Sequence, residues 1–80
     1  MLSELQNSNK IVGLKQVVNS IENGTAKKVF LAKDVSPDIY DHILNLCKVN
    51  EIPLSFADTR KQLGNACKID VPAAVAVIID

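Results

Sequence analysis

Residues 10–32 read KIVGLKQVVNSIENGTAKKVFLA, and the architecture follows from them. Lys10-Ile11-Val12-Gly13 is a short β-type run closed by glycine. Leu14, Val17, Val18 and Ile21 then recur at i, i+3, i+4 and i+7, the spacing of one apolar helix face. Asn23-Gly24 ends that pattern, because Asn-Gly favours positive φ. Lys28-Val29-Phe30-Leu31-Ala32 follows without polar alternation, which predicts a strand buried on both faces.

The same grammar extends in both directions. Upstream, Ser3 and Gln6 have capping-box spacing and predict a short helix carrying Leu2 and Leu5. Downstream, Ser36-Pro37 predicts an N-cap followed by proline at the first helical position. Ile39, Ile43, Leu46 and Cys47 form the inward stripe of that helix, which stops between Asn50 and Pro53. Leu54-Ser55-Phe56-Ala57 reads as a short strand. Asp58 or Thr59 caps a further helix with Leu63, Ala66 and Cys67 inside, and Ala73 to Ile79 forms the last strand. Alternating strands and helices imply crossovers onto a parallel or mixed sheet, and apolar central strands need helices on both faces. The expectation is a three-layer α/β/α sandwich, a four-stranded mixed sheet flanked by four helices, in a single domain over residues 1–80.

Composition narrows the function classes. Apolar residues make up 48% of 80, enough for a core and too many for a disordered chain. The longest apolar stretch, Ala73 to Ile79, has seven residues, far short of the ~20 that span a bilayer. The start, Met1-Leu2-Ser3-Glu4-Leu5, lacks the basic and apolar regions of a secretory signal, so a cytoplasmic protein is expected. Cys47 and Cys67 fit no metal spacing and are expected as reduced core residues. The formal net charge is zero, but it is unevenly placed. Residues 1–33 carry +3, residues 34–58 carry −4 and residues 59–80 carry +1. A neutral protein with basic ends can still present a positive face.

Two stretches carry chemical information. Gly13 precedes a helix whose first turn offers unpaired N–H donors, yet Lys15 stands there, where a cation is disfavoured by ~0.3–1 kcal/mol. Lys15, Gln16 and Asn19 share the exposed face opposite the apolar stripe, a set suited to phosphates and base edges. Lys68-Ile69-Asp70-Val71-Pro72, between the last helix and last strand, holds aliphatics in a loop, where they either cap the core or meet a partner. Gly13 and Ile69 can meet only if the first and last strands are antiparallel. Other candidates are bland: Asp34, Asp38 and Asp41 read as acids around a helix start, His42 as a surface residue, and Gly64 as a site of close packing. No phosphate-binding glycine motif or metalloprotease motif is present. Neither an enzyme, a metal site nor a cofactor is expected.

Gly13-Leu14-Lys15-Gln16, Ala32-Lys33-Asp34-Val35-Ser36-Pro37, Ile52-Pro53, Leu63-Gly64-Asn65-Ala66-Cys67 and Val71-Pro72-Ala73-Ala74-Val75-Ala76-Val77-Ile78 recur in an order that resembles the ribosomal-protein family of archaeal L7Ae and eukaryotic L30e, especially its short bacterial members. The resemblance covers nearly the whole chain. It implies the same α/β/α sandwich and binding to kink-turn RNA, an internal loop with tandem sheared G·A pairs and a sharp bend. The family signature Gly-x-Asn-Glu-x-x-Lys falls on Gly13, Lys15, Gln16 and Asn19, with Asn19 removing one charge from the pattern. The family's loop before the last strand, which meets flipped-out nucleotides, corresponds to Ile69, Asp70 and Val71. Lys68 stands where a glycine often ends the last helix. Lys10, Lys28 and Lys33 are expected to contact phosphates near the same end. The implied partner is structured RNA, in rRNA or an mRNA leader, bound by a monomer that acts without a membrane. A second reading is a protein-interaction module on the same fold that lacks RNA binding, working through Asp38, Asp41 and Asn45.

Overall fold

The structure, a computed structural model, describes Leu5 and residues 9–79. Strands and helices alternate as β1 (Lys10–Val12), α1 (Leu14–Glu22), β2 (Lys28–Ala32), α2 (Pro37–Val49), β3 (Leu54–Ala57), α3 (Arg60–Ala66) and β4 (Val75–Ile78). The four strands make one sheet in the order β1-β4-β2-β3. β4 runs antiparallel to both of its neighbours, and β2 and β3 are parallel. The mixed sheet is as expected, but the count of four helices is not supported: three are present among the described residues. The helix expected around Ser3 and Gln6 lies outside the described residues, apart from Leu5, whose side chain is fully buried.

Strand periodicity sorts the core into two layers. Phe30, Ala32, Ala57, Ala76 and Ile78 point to one face, where they meet Leu5 and the α3 residues Leu63 and Ala66, with Cys67 just beyond. Val29, Leu31, Val75 and Val77 point to the other, against Val17 and Ile21 of α1 and Ile43 and Cys47 of α2. Each buried Val, Leu, Ile or Phe side chain contributes about 1.5–3 kcal/mol. The two free cysteines therefore lie on opposite faces of the sheet and cannot pair. Burial pushes both thiols up from their ordinary pKa, partly offset at Cys67 by the charge of Lys10.

The helix ends show where local sequence rules hold and where they are overridden. Ser36 Oγ accepts from the Ile39 N–H at 3.5 Å with Pro37 at the first helical position, and Thr59 Oγ1 accepts from the Gln62 N–H at 3.1 Å. All three helices close with the paired bonds of a Schellman motif. The Thr25 N–H donates to Ser20 O (3.0 Å), Ile52 to Cys47 O (2.9 Å) and Ile69 to Gly64 O (3.1 Å). The left-handed residue these motifs need is Gly24 (φ 76°) after α1, but Glu51 (φ 56°) after α2 and Lys68 (φ 61°) after α3. The left-handed conformation costs a residue with a Cβ ~1–2 kcal/mol. Glu51→Gly removes that strain at a site far from Gly13. It is expected to stabilise the protein by about 0.5–1 kcal/mol, net of glycine's greater freedom when unfolded. Thermal unfolding should show a midpoint higher by several degrees, and a lower midpoint would contradict the reading of this turn.

Candidate nucleic-acid interface

β1, β2 and β3 point the same way, and β4 points against them. One end of the sheet thus gathers the C-terminal ends of β1, β2 and β3 and the start of β4. Gly13 leaves β1 at this end, and its N–H donates to Val75 O at 3.2 Å. The connector from α3 arrives at the same place: the Ala73 N–H donates to Arg60 O (3.0 Å), and Ala74 O accepts from the Ala32 N–H (2.9 Å). The condition set by the sequence is met, since β1 and β4 are antiparallel and Gly13 shares an edge with the end of the connector.

Gly13 has φ 116° and ψ 141°, a conformation that residues with a Cβ rarely adopt. An added Cβ would lie 2.7 Å from Gln16 Oε1, so the glutamine side chain folds back over the glycine. The N-terminus of α1 has no side-chain cap and no acid in its first turn. α2 and α3 are both capped by side chains, which makes the α1 terminus the exception among the described helices. Lys15, Gln16 and Asn19 are all exposed on its outer side, while Val17 and Ile21 are buried beneath. Donors, an amide and the positive end of a helix dipole therefore face solvent together.

The connector divides the roles that the sequence left open. Ile69 is half-buried and packs on the α3-side core, so it caps the core. Val71 is 61% exposed and Asp70 is exposed beside it. The connector lies flush on α3, because Gly64 offers no side chain where Val71 O and Pro72 Cα pass.

The basic residues do not gather as the sequence reading expected. Lys33, after β2, is at the Gly13 end of the sheet, but its Nζ lies 3.6 Å from Asp58 Oδ1. Lys10 and Lys28 open β1 and β2, each opposite Ile78, and so lie at the other end of the strands. The expectation that all three lysines share one end is corrected. The reason is strand direction: residues that begin two parallel strands cannot sit beside the residues that end them. Lys10 and Gly13 are about 10 Å apart along β1 at 3.3 Å per residue.

Asp34 has a role that sequence inspection missed. Its Oδ1 accepts from the Arg60 N–H at 2.9 Å and lies 3.4 Å from Arg60 Nε, tying the end of β2 to the first turn of α3. Twenty-six positions separate the partners, and no local pattern reveals such a bond. Asp38, Asp41 and His42 are exposed on α2. No group of three metal-ligating side chains occurs among the described residues, and no described helix is long and apolar enough to cross a membrane.

Known proteins resemble this chain in sequence and in fold. A protein described as RNA-binding from Geobacillus sp. (strain WCH70) is 40% identical over 75 residues, covering 94% of this chain and 92% of that protein. Another so described, from Halalkalibacterium halodurans, is 33% identical over 73 residues, covering 91% and 89%. A solved Bacillus halodurans protein, described as of unknown function, superposes with a TM-score of 0.89 at 26% identity, over 99% of this chain and 83% of that one. A 15.5 kD RNA-binding protein of Giardia lamblia superposes with a TM-score of 0.81 at 29% identity, over 99% of this chain and 65% of that one. The family model for the ribosomal proteins L7Ae, L30e and S12e and for Gadd45 matches residues 2–80, and the chain belongs to the Ribosomal protein L7Ae/L30e/S12e/Gadd45 family.

Proposed function

We propose that this protein binds structured RNA of the kink-turn type, gripping the tandem G·A pairs at the Gly13 edge and holding the RNA bent. The observation that carries this reading is the bare N-terminus of α1, set behind a glycine with φ 116° and flanked by exposed Lys15 and Gln16. Backbone N–H groups suit phosphate, Lys15 suits guanine O6 or N7, and the Gln16 amide can bridge a neighbouring base. Asn19 extends the same face by one polar contact. Val71 offers an apolar surface to an unstacked base, with Asp70 at its side. The protein fits only the kinked form, so its preference for that form sets how far the RNA equilibrium shifts. RNA binding is also what the names of the similar Geobacillus, Halalkalibacterium and Giardia proteins describe.

The test is a titration of two matched RNAs, one with the G·A pairs intact and one with them replaced by Watson–Crick pairs. The intact RNA should bind more tightly. Equal affinities would end the proposal.

The pairing of Lys33 with Asp58 yields a prediction of opposite sign. Asp58→Asn removes the carboxylate that holds Lys33, leaving a cation free to approach a phosphate. The pair is exposed, so little stability should be lost. RNA affinity should rise, and the log–log salt slope should steepen by about 0.7–0.9, the contribution of one phosphate contact. An unchanged slope would show that Lys33 stays outside the RNA footprint.

A further inference from the structure

The two edges of the sheet are not alike. β1 opens on the charge of Lys10, whereas β3, Leu54-Ser55-Phe56-Ala57, carries no charged residue. Charged side chains commonly keep an edge strand from pairing with another chain. The Val29 N–H donates to Pro53 O (2.9 Å) and the Lys33 N–H to Ala57 O (2.9 Å), so Ser55 and Ala57 turn their backbone groups toward β2. Leu54 and Phe56 alternate with them and turn theirs away from the sheet. The next donors on either side are taken: the Ile52 N–H donates to Cys47 O (2.9 Å) and the Asp58 N–H to Gln62 Oε1 (3.2 Å). The N–H and C=O groups left facing outward thus sit symmetrically about Ser55.

An apolar strip runs beside this row. Leu54 packs on the α2-side core, and Phe56, two residues on, shares that face. Phe56 is 38% exposed and stacks on Tyr40 of α2, with ring centroids 5.8 Å apart, so the two rings lie at one level. Leu44, 41% exposed, follows Tyr40 at i+4 on the same flank of the helix. α2 returns from the end of β2 to the start of β3, so it runs against the strands. Four helix residues cover about 6 Å and two strand residues about 6.6 Å, which sets Leu44 level with Leu54. Ser55 lies midway between the two levels.

We propose that two copies of this chain pair antiparallel through β3, with a two-fold axis at Ser55, in place of the monomer expected from the sequence. Only an extended polypeptide satisfies a row of outward backbone groups. β3 offers no charge to a basic or acidic segment, and Asp58, which follows it, is held by Lys33 at 3.6 Å. The chain has a formal net charge of zero, so two copies do not repel at long range. About the axis, Leu54 of each copy exchanges both backbone bonds with Phe56 of the other. The same axis sets the Tyr40–Phe56 level of one copy against the Leu44–Leu54 level of the other. Backbone row and apolar strip are self-complementary about one point, which selects a second copy as the occupant. The two four-stranded sheets become one, and the two Gly13 edges face opposite ways. The inference is independent of RNA binding.

The experiment is sedimentation equilibrium of the full chain over rising concentration. The contact is short, so the mass should climb from one chain toward two with a midpoint of roughly 10–500 µM. Leu44→Glu should raise that midpoint about tenfold or more while the melting temperature holds, because Leu44 lies outside the core. Val49→Glu, 71% exposed on another flank of α2, should leave the midpoint unchanged. Ser55→Cys tests the axis itself. Residues facing each other in a non-hydrogen-bonded pair have Cα atoms about 4.5 Å apart, within disulfide reach. Under mild oxidation this variant should form a linked dimer, whereas Asn45→Cys, exposed on α2, should not. Cys47 and Cys67 are buried and do not compete. A chain that stays monomeric at every concentration overturns the proposal and leaves the β3 edge to an extended segment of a different protein. A dimer that Leu44→Glu does not weaken, or one in which Ser55→Cys fails to link, overturns it as well, because the copies then meet elsewhere.

Discussion

Gly64→Ala is expected to destabilise the protein by about 2 kcal/mol, although alanine is the better helix former by about 1 kcal/mol. Gly64 is buried inside α3, and an added Cβ would run into Val71 O, with Pro72 Cα at 3.2 Å. Both obstacles are backbone atoms, so no side chain can swing aside. Either the connector lifts off α3 or the helix moves, and both are tied down. Gly64 O accepts from the Ile69 N–H at the helix end, and the Ala73 N–H donates to Arg60 O at its start. For a chain of 80 residues, a loss of about 2 kcal/mol lowers the unfolding midpoint by roughly 10 °C. The connector bearing Val71 should shift as well, so RNA affinity falls while the salt slope stays, because no lysine is lost. Thermal melts and a salt series on one variant read both effects. A midpoint equal to or above the parent's would mean that the connector has room the structure does not show.

The elements of this fold were legible because each is announced locally. Ser36-Pro37 starts α2, Asp58 or Thr59 announces α3 and the structure selects Thr59, Asn23-Gly24 ends α1, and the apolar runs at 28–32 and 73–79 announce central strands, the second shortened to 75–78 in the structure. Gly13 and its helix face were legible for the same reason, since a glycine and a misplaced cation break a local rule at the head of a clear helix. Relations between distant segments were not legible. The insertion of β4 between β1 and β2, which sets Lys10 and Lys28 on either side of Ile78, is stated by no local signal. The bond from Arg60 to Asp34, the pairing of Lys33 with Asp58 and the half-burial of Ile69 depend on that same topology. Glu51 and Lys68 show the reverse failure. Sequence rules ask for glycine in their turns, and the bonds to Cys47 O and Gly64 O hold a strained residue in its place.

Gly13→Ala should separate the shape of the interface from the stability of the fold when it is compared with Gly24→Ala. Both glycines have positive φ, 116° and 76°, and they bracket the same helix. At Gly24 an added Cβ meets nothing within 4 Å, so the substitution imposes backbone strain alone, about 1 kcal/mol, at the C-terminal end of α1. At Gly13 the strain is of order 1–3 kcal/mol, and the new methyl group also displaces the Gln16 amide from its place over the backbone. Both variants should therefore melt below the parent. Only Gly13→Ala should lose affinity for the RNA with intact G·A pairs, by about tenfold or more, the loss expected when a base-reading side chain is misplaced by the equivalent of ~1–3 kcal/mol. Affinity for the disrupted RNA should change little, since the substitution removes no charge. Gln16→Ala should reproduce most of that selective loss without the drop in melting temperature, because Gln16 is exposed. If Gly13→Ala and Gly24→Ala weaken both RNAs to the same degree, α1 serves only as scaffold, and the recognition of G·A pairs must be sought on another surface.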